Sequence, residues 1–221
     1  MQPGPEYLTG HFPEETKNFS AVPEYSCDVS GHFLQKEALH AWLAMHNAAK
    51  KENISLRIIS SLRSFERQKR IWENKWTGKT LTQGQNIAEL IPDAVLRART
   101  ILKFSAMPGT SRHHWGTDFD INALEDDYFL DGKGKDEYSW LNENANNFKF
   151  AQPYSVKGPG RPVGYEEEKW HWSYLPLSKE YLKIYLAEVN YNLITGFEGS
   201  DTAEEIRVIE DYVNGIDSRC R

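Results

Sequence analysis

Ser111-Arg112-His113-His114-Trp115-Gly116-Thr117-Asp118-Phe119-Asp120 is the stretch on which the fold turns. Phe119 and Ile121 alternate with Asp118, Asp120 and Asn122, the period-two pattern of a strand with one buried face. His113 and Asp120 are too far apart in the chain to meet on one strand or on adjacent helical turns. They converge only if the chain bends between them, and Gly116 is where a bend costs least. Imidazole and carboxylate are good ligands for first-row metals. The bland reading stands beside this one, with His113 and His114 as surface loop residues and Asp120 as a solvated strand residue.

Outward from this strand the pattern becomes helical on both sides. Leu39, Trp42, Leu43, His46 and Ala49 recur at three- and four-residue spacing, which predicts a helix over 34–51. Ile58 and Ile59 mark a short buried strand within 56–61. Ser64 is a candidate N-cap for a helix running to about Trp76, with Gly78 just past its end. Further helices are expected over 92–105, over 136–148, from a Ser178 cap to Val189, and over 202–213. The Gly-, Pro-, Tyr- and Trp-rich stretch 154–174 reads as a loop or hairpin ending in a strand. Helices first, a strand-rich centre and helices last predict one α+β domain with a small antiparallel sheet flanked by helices. Residues 1–30 are Pro-rich and are expected to wrap its surface irregularly, leaving 31–221 as the domain proper.

Two more stretches carry chemistry. Glu166-Glu167-Glu168-Lys169-Trp170-His171-Trp172 sets an imidazole between two indoles, where it needs a partner: a metal, or more blandly a backbone carbonyl. Glu168 and His171 would point opposite ways on a regular strand, so joint action requires the strand to begin after Glu168 or to carry a bulge. Two imidazoles and one carboxylate leave a zinc ion an open position, the catalytic arrangement, and an unligated carboxylate beside it can serve as base. The other stretch, Ser60-Ser61-Leu62-Arg63-Ser64-Phe65-Glu66-Arg67-Gln68, puts Arg63 between a buried strand and a helix N-terminus. There its guanidinium could meet a substrate carboxylate or a developing oxyanion, or simply pair with Glu66.

Together the three stretches resemble the D-alanyl-D-alanine carboxypeptidase family related to VanY and VanX, within the wider group of zinc peptidases that includes phage endolysins and the hedgehog signalling domain. The pattern Ser-x-His-x-x-Gly-x-Ala-x-Asp maps onto Ser111, His113, Gly116, Asp118 and Asp120, with Asp118 where Ala is usual. Glu-x-x-His-Trp is met by Glu168, His171 and Trp172, and the Arg motif by Arg63, Ser64, Phe65 and Gln68. The resemblance spans about Ile58 to Tyr174. It implies His113, Asp120 and His171 as ligands of one zinc ion per chain and Glu168 as catalytic base. Arg63 would bind and polarise substrate, Ser111 and Gln68 would contribute to substrate binding, and His114 has no role. Asp118 is expected to be solvated or to support His113 from outside the ligand set, rather than to ligate.

The implied substrate is a peptidoglycan stem peptide or another peptide ending in D-Ala-D-Ala, cleaved outside the cytoplasmic membrane. Within the enzyme class the sequence leaves open a carboxypeptidase, a dipeptidase acting on free D-Ala-D-Ala, or an endopeptidase. A dipeptidase needs acids for the substrate ammonium; Glu125, Asp126 and Asp127 could supply them, although a solvated loop is the reading preferred for this run. A zinc-bearing binding module is the reading outside enzymes, and the presence of Glu168 speaks against it. A net charge of −6 over 221 residues argues against non-specific nucleic-acid binding. No apolar run approaches the ~18 residues of a membrane span. Met1 to Pro5 carry neither a basic nor an apolar leader region. A monomer is expected. Cys27 and Cys220 lie near opposite ends and are read either as a disulfide or as two free thiols.

Overall fold

The alternation at 118–121 becomes an inner strand of a small antiparallel sheet. The structure, a computed structural model, describes residues 3–12 and 18–221. In chain order its elements are α1 (Pro5–Leu8), β1 (Phe19–Ala21), β2 (Phe33–Gln35), α2 (Lys36–Lys51), β3 (Ile58–Ser60), α3 (Phe65–Trp76), α4 (Ile87–Leu90), α5 (Ala94–Ile101), β4 (Asp118–Ile121), α6 (Gly132–Asn144), β5 (Phe150–Ala151), β6 (His171–Tyr174), α7 (Leu175–Glu188) and α8 (Ala203–Ile206). Among the described residues β3, β4, β6 and β5 pair in that order, all antiparallel. β1 and β2 form a separate antiparallel ribbon.

The sheet has one apolar and one polar face because side chains alternate along each strand. Phe119 and Ile121 of β4 and Trp172 of β6 point into a core shared with α2 and α6, where the Phe119 and Trp42 rings lie 4.9 Å apart. Asp118, Asp120, His171 and Ser173 are buried on the opposite face. The pairing register shifts between Ile58 and Ser60. This irregularity keeps Ile58 in the α2 core and turns both Ile59 and Ser60 toward the site cavity. A second core, built from α3, α5, α7 and the C-terminal segment, packs around Trp72, Trp115 and Tyr185.

Several element boundaries differ from the sequence reading, each for a local reason. α2 starts only at Lys36, because Leu34 and Gln35 pair with β1. α5 is shorter than 92–105: Asp93 caps it by accepting from the Leu96 N–H at 2.7 Å, and it ends at Ile101. α6 begins earlier, at Gly132, and passes into a 3-10 turn over Ala145–Phe148. Ser178 is not a cap. α7 starts at Leu175 with Pro176 in its first turn, where a missing N–H costs nothing, and Ser178 is buried inside the helix. The expected helix over 202–213 breaks at Arg207, whose φ of 62° is left-handed, and a π-helical turn continues over Val208–Val213. The Ser64 cap is present, accepting from the Arg67 N–H at 3.2 Å.

The N-terminal segment is more than an irregular surface wrap. Residues 1, 2 and 13–17 lie outside the described residues. Of the rest, Leu8 is fully buried in the second core, and Tyr7 donates its hydroxyl to the Trp115 carbonyl at 3.1 Å. Phe19 covers Gly116, whose φ of 68° would strain any other residue and where a Cβ would come within 2.5 Å of the Phe19 ring. The two cysteines are free thiols. Cys27 is buried in the α2 core and Cys220 in the other, so the disulfide reading is not what this structure holds.

Candidate metal centre and cleft

β4 and β6 bring the predicted ligands together through their register, which pairs Asp120 with His171 and Asp118 with Ser173. His113 arrives from the 3-10 turn Arg112–Trp115, which ends in left-handed Gly116. The bend expected at Gly116 is therefore the device that swings His113 back over β4. Ser111 starts this turn, its hydroxyl accepting from the His113 N–H at 3.3 Å. His113 Nε2 lies 3.3 Å from Asp120 Oδ2, and His171 Nδ1 lies 3.0 Å from Asp120 Oδ1. One donor atom from each of the three falls within 4.8 Å of the others, and all three residues are buried.

The remaining ring nitrogens are engaged by acceptors. His113 Nδ1 donates to the Ser61 carbonyl at 2.9 Å, so its Nε2 lone pair faces the site. His171 Nε2 donates to Asp118 Oδ1 at 3.1 Å. Asp118 is the departure from the family pattern, and it supports His171, not His113 as the sequence reading offered. It is itself held by Arg112 Nε at 2.8 Å and by the Thr117 hydroxyl at 2.6 Å. Arg112 is fully buried, also donates to Ser173 Oγ at 2.7 Å, and lies over the Trp115 ring at 4.6 Å. Two imidazoles with outer partners and one carboxylate are a donor set that suits zinc.

Charge follows from these contacts. Burial works against ionised Asp118, but Arg112 and His171 outweigh it and hold the carboxyl down at about 2. Burial also opposes ionised Asp120, which the imidazoles of His113 and His171 keep well below the usual carboxylate range. For His171 burial disfavours the cation, yet hydrogen bonds to Asp118 and Asp120 push its pKa up to about 9. His113 is the opposite case: burial, with Arg63 nearby, lowers it to about 4.

Glu168 lies outside β6, which begins at His171. The irregular entrance turns the carboxylate inward, to 3.6 Å from His171 Nδ1. Burial lifts its pKa to about 8. Arg63 extends over the site, donating from Nη2 to Asp120 Oδ2 at 3.0 Å, from Nη1 to Gln68 Oε1 at 3.1 Å and from Nε to Ser60 Oγ at 3.2 Å. Gln68 is fully buried, off the cavity wall, and donates its amide to the Ala106 carbonyl at 2.8 Å. Its contact with the site runs through the Arg63 guanidinium, and its expected part in substrate binding would be exerted through that hydrogen bond. His114 is a braced core histidine, donating from Nδ1 to the Arg63 carbonyl at 2.7 Å and accepting the Gly109 N–H at Nε2, 3.1 Å away.

The donor atoms open onto a cavity of about 360 Å³. Ser111 reaches its wall, as do Tyr154 and Tyr165, two residues of the 154–174 stretch that carry no chemical signature in the sequence. Glu125, Asp126 and Asp127 do not line it: Asp126 pairs with Lys169 at 3.2 Å, and the other two are exposed. The acids offered for a substrate ammonium are therefore elsewhere.

Fold and site define an α+β domain with a buried His-Asp-His cluster at the base of a cleft. The chain belongs to the VanY family, D-alanyl-D-alanine carboxypeptidase, which it matches over residues 31–177. It is 31% identical over 155 residues to YodJ of Bacillus subtilis (strain 168), covering 66% of this chain and 48% of that protein. It is also 31% identical over 146 residues to a D-alanyl-D-alanine carboxypeptidase of Enterococcus faecalis (strain ATCC 700802 / V583), covering 64% of this chain and 47% of the relative. The chain thus spans about half the length of these two relatives. Its fold is similar to that of the LdcB LD-carboxypeptidase, with TM-score 0.54 and 24% identity over 87% of this chain and 79% of that one. It is likewise similar to a vancomycin-resistance D,D-pentapeptidase VanY in complex with Zn(II), with TM-score 0.52 and 23% identity over 83% and 93%.

Proposed function

We propose that this protein is a zinc-dependent D,D-carboxypeptidase that removes the terminal D-Ala from peptidoglycan stem peptides outside the cytoplasmic membrane. The observation that carries the reading is the convergence of one donor atom each from His113, Asp120 and His171 within 4.8 Å at the base of a cleft, with Glu168 at its edge. Membership of the VanY family supports the choice of bond. In this reading His113, Asp120 and His171 hold one zinc ion per chain. Bound there, zinc would supply a Lewis-acid charge, beside which the Glu168 carboxyl would ionise more readily. Glu168 takes a proton from the attacking water and returns it to the leaving amine. Arg63, held on three sides, keeps its guanidinium at the developing oxyanion. Ser111 shapes the turn that carries His113 and lines the substrate cleft.

The test is product analysis with purified, zinc-loaded protein. Its substrates are a stem pentapeptide ending in D-Ala-D-Ala, free D-Ala-D-Ala, a tetrapeptide whose last D-Ala follows an L-centre, and cross-linked muropeptide. Release of D-Ala from the pentapeptide is expected. Cleavage confined to the tetrapeptide would convert the assignment to an L,D-carboxypeptidase, and cleavage of none would remove it.

A further inference from the structure

Helix α3 presents Arg67, Ile71 and Lys75 to the cleft, at positions one turn or two apart on one face. Lys75 is half-buried and hydrogen-bonds the Ser105 hydroxyl. Among the described residues neither Lys75 nor Arg67 makes an ion pair. The acid on the neighbouring turn, Glu73, faces Lys69 at 4.0 Å instead. The carboxylates of the cleft, Asp120 and Glu168, sit at its metal end, and Asp120 is already paired with Arg63. A protein of net charge −6 thus lines one wall of its cleft with cations that have no carboxylate within ion-pair distance among the described residues. Burial and the Arg63 charge both depress the Lys75 pKa, with Glu168 acting against them. A half-buried ammonium with only a hydroxyl partner gains from an incoming anion.

We propose that Lys75, with Arg67 at the mouth, forms a carboxylate-binding subsite that selects peptides by an acidic group close to the scissile bond. The inference rests on the peptidase reading above. Eight residues of helix separate the two backbone positions by about 12 Å along the wall, the length of three to four residues of extended peptide. A terminal carboxylate carbon lies about 4 Å from the scissile carbonyl carbon. Either that terminal carboxylate or an acidic side group a few residues upstream falls on the scale of this wall. Ile71, together with Phe104 and Trp170 on the same cavity, supplies apolar surface for the small methyl side chains between.

Lys75→Met keeps the stem and removes the charge, and Lys75→Arg keeps the charge. The zinc-loaded proteins are compared on a pentapeptide ending in D-Ala-D-Ala with a free C-terminus, on its C-terminal amide, and on versions with an acidic or a neutral side chain at the third residue. Lys75→Met should lose about 10- to 100-fold in kcat/KM on the peptide that presents the recognised carboxylate. On its neutral counterpart it should lose less than about threefold, and Lys75→Arg should recover most of the loss. Loss specific to the free C-terminus assigns the terminal carboxylate, and loss specific to the acidic side chain assigns that group. Equal loss on all peptides at unchanged zinc content, or no loss, overturns the proposal. If wild-type protein turns over none of them, the peptidase reading fails separately. The same peptides then act as inert ligands, and calorimetric binding that ignores both the carboxylate and Lys75→Met overturns the subsite.

Discussion

His171 Nε2 stands 3.1 Å from Asp118 Oδ1, so the one residue that departs from the family pattern orients a candidate metal ligand. Asp118→Asn keeps an oxygen for both His171 and Arg112 but removes the charge that makes the imidazole a better donor. Zinc affinity, measured by competition with a chromophoric chelator, should fall about 10- to 100-fold while saturating zinc still loads one ion. Asp118→Ala should in addition destabilise the fold by about 3–5 kcal/mol, because it strands the fully buried Arg112 guanidinium. Unchanged affinity in both variants would reduce Asp118 to a partner of Arg112 alone.

Zinc binding should be linked to protons. With its pKa near 9, His171 is a cation at neutral pH in the metal-free protein, and a ligand must give up the Nδ1 proton. Calorimetry at pH 7 in buffers of different ionisation enthalpy should show release of about one proton or more per ion. The His171 share should shrink as pH rises through 9. His171→Ala should lose most of its zinc, and full occupancy by elemental analysis would sink the ligand assignment.

Glu168→Gln separates mechanism from metal binding. Glu168 reaches the cluster from the irregular entrance to β6, 3.6 Å from His171, and is not needed to complete the three-donor set. Zinc content should stay near that of wild type while turnover falls by at least about 100-fold. Loss of zinc would make Glu168 a ligand, and retained turnover would move the base elsewhere.

Arg63 acts through a fixed fork. Arg63→Lys keeps a charge but cannot span Ser60, Gln68 and Asp120 together, so kcat/KM should fall nearly as far as in Arg63→Ala, by about 100-fold. Gln68→Ala should lose about 10-fold with zinc content unchanged, since it frees the guanidinium without touching the cluster. Wild-type kinetics in Arg63→Ala would return Arg63 to a structural role.

His114 sets an acid limit on the fold. Burial lowers its pKa from 6.5 to about 3. Between these values the unfolded chain binds the extra proton, so this contribution to stability is complete above 6.5 and is lost as pH falls toward 3. His114→Phe should cost about 2–4 kcal/mol at pH 7 through two lost buried hydrogen bonds. The gap to wild type, read from denaturant midpoints, should narrow by pH 5. A gap independent of pH would remove histidine titration from the account.

Much of the site was legible in the chain because its chemistry is local. The Phe119 and Ile121 alternation announces a strand with one polar face, and Gly116 announces the bend that returns His113 to it. Because Glu168 and His171 are opposed in phase on a regular strand, their joint action requires the strand to start after Glu168 or to bulge, and it starts after Glu168. Capping at Ser64 is equally local. Where local signals compete the reading fails. Ser178 looks like a cap, but Pro176 starts α7 a turn earlier, and the 202–213 periodicity cannot reveal that Arg207 leaves the helix.

What the sequence by itself determined was the set of groups: two imidazoles, two carboxylates and a guanidinium, in an order that alternation and bends can bring to one face. Which group touches which was decided only by tertiary structure. The β4–β6 register sets Asp118 opposite Ser173 and Asp120 opposite His171, so Asp118 supports His171 and not its sequence neighbour His113. The packing of α3 against the cleft turns Gln68 inward to hold Arg63 and leaves Lys75 at the wall. The physical reason is that strand register and helix rotation are set by burial of the apolar faces. Phe119, Trp172 and Trp72 must reach their cores, and the polar residues between them take the partners that remain.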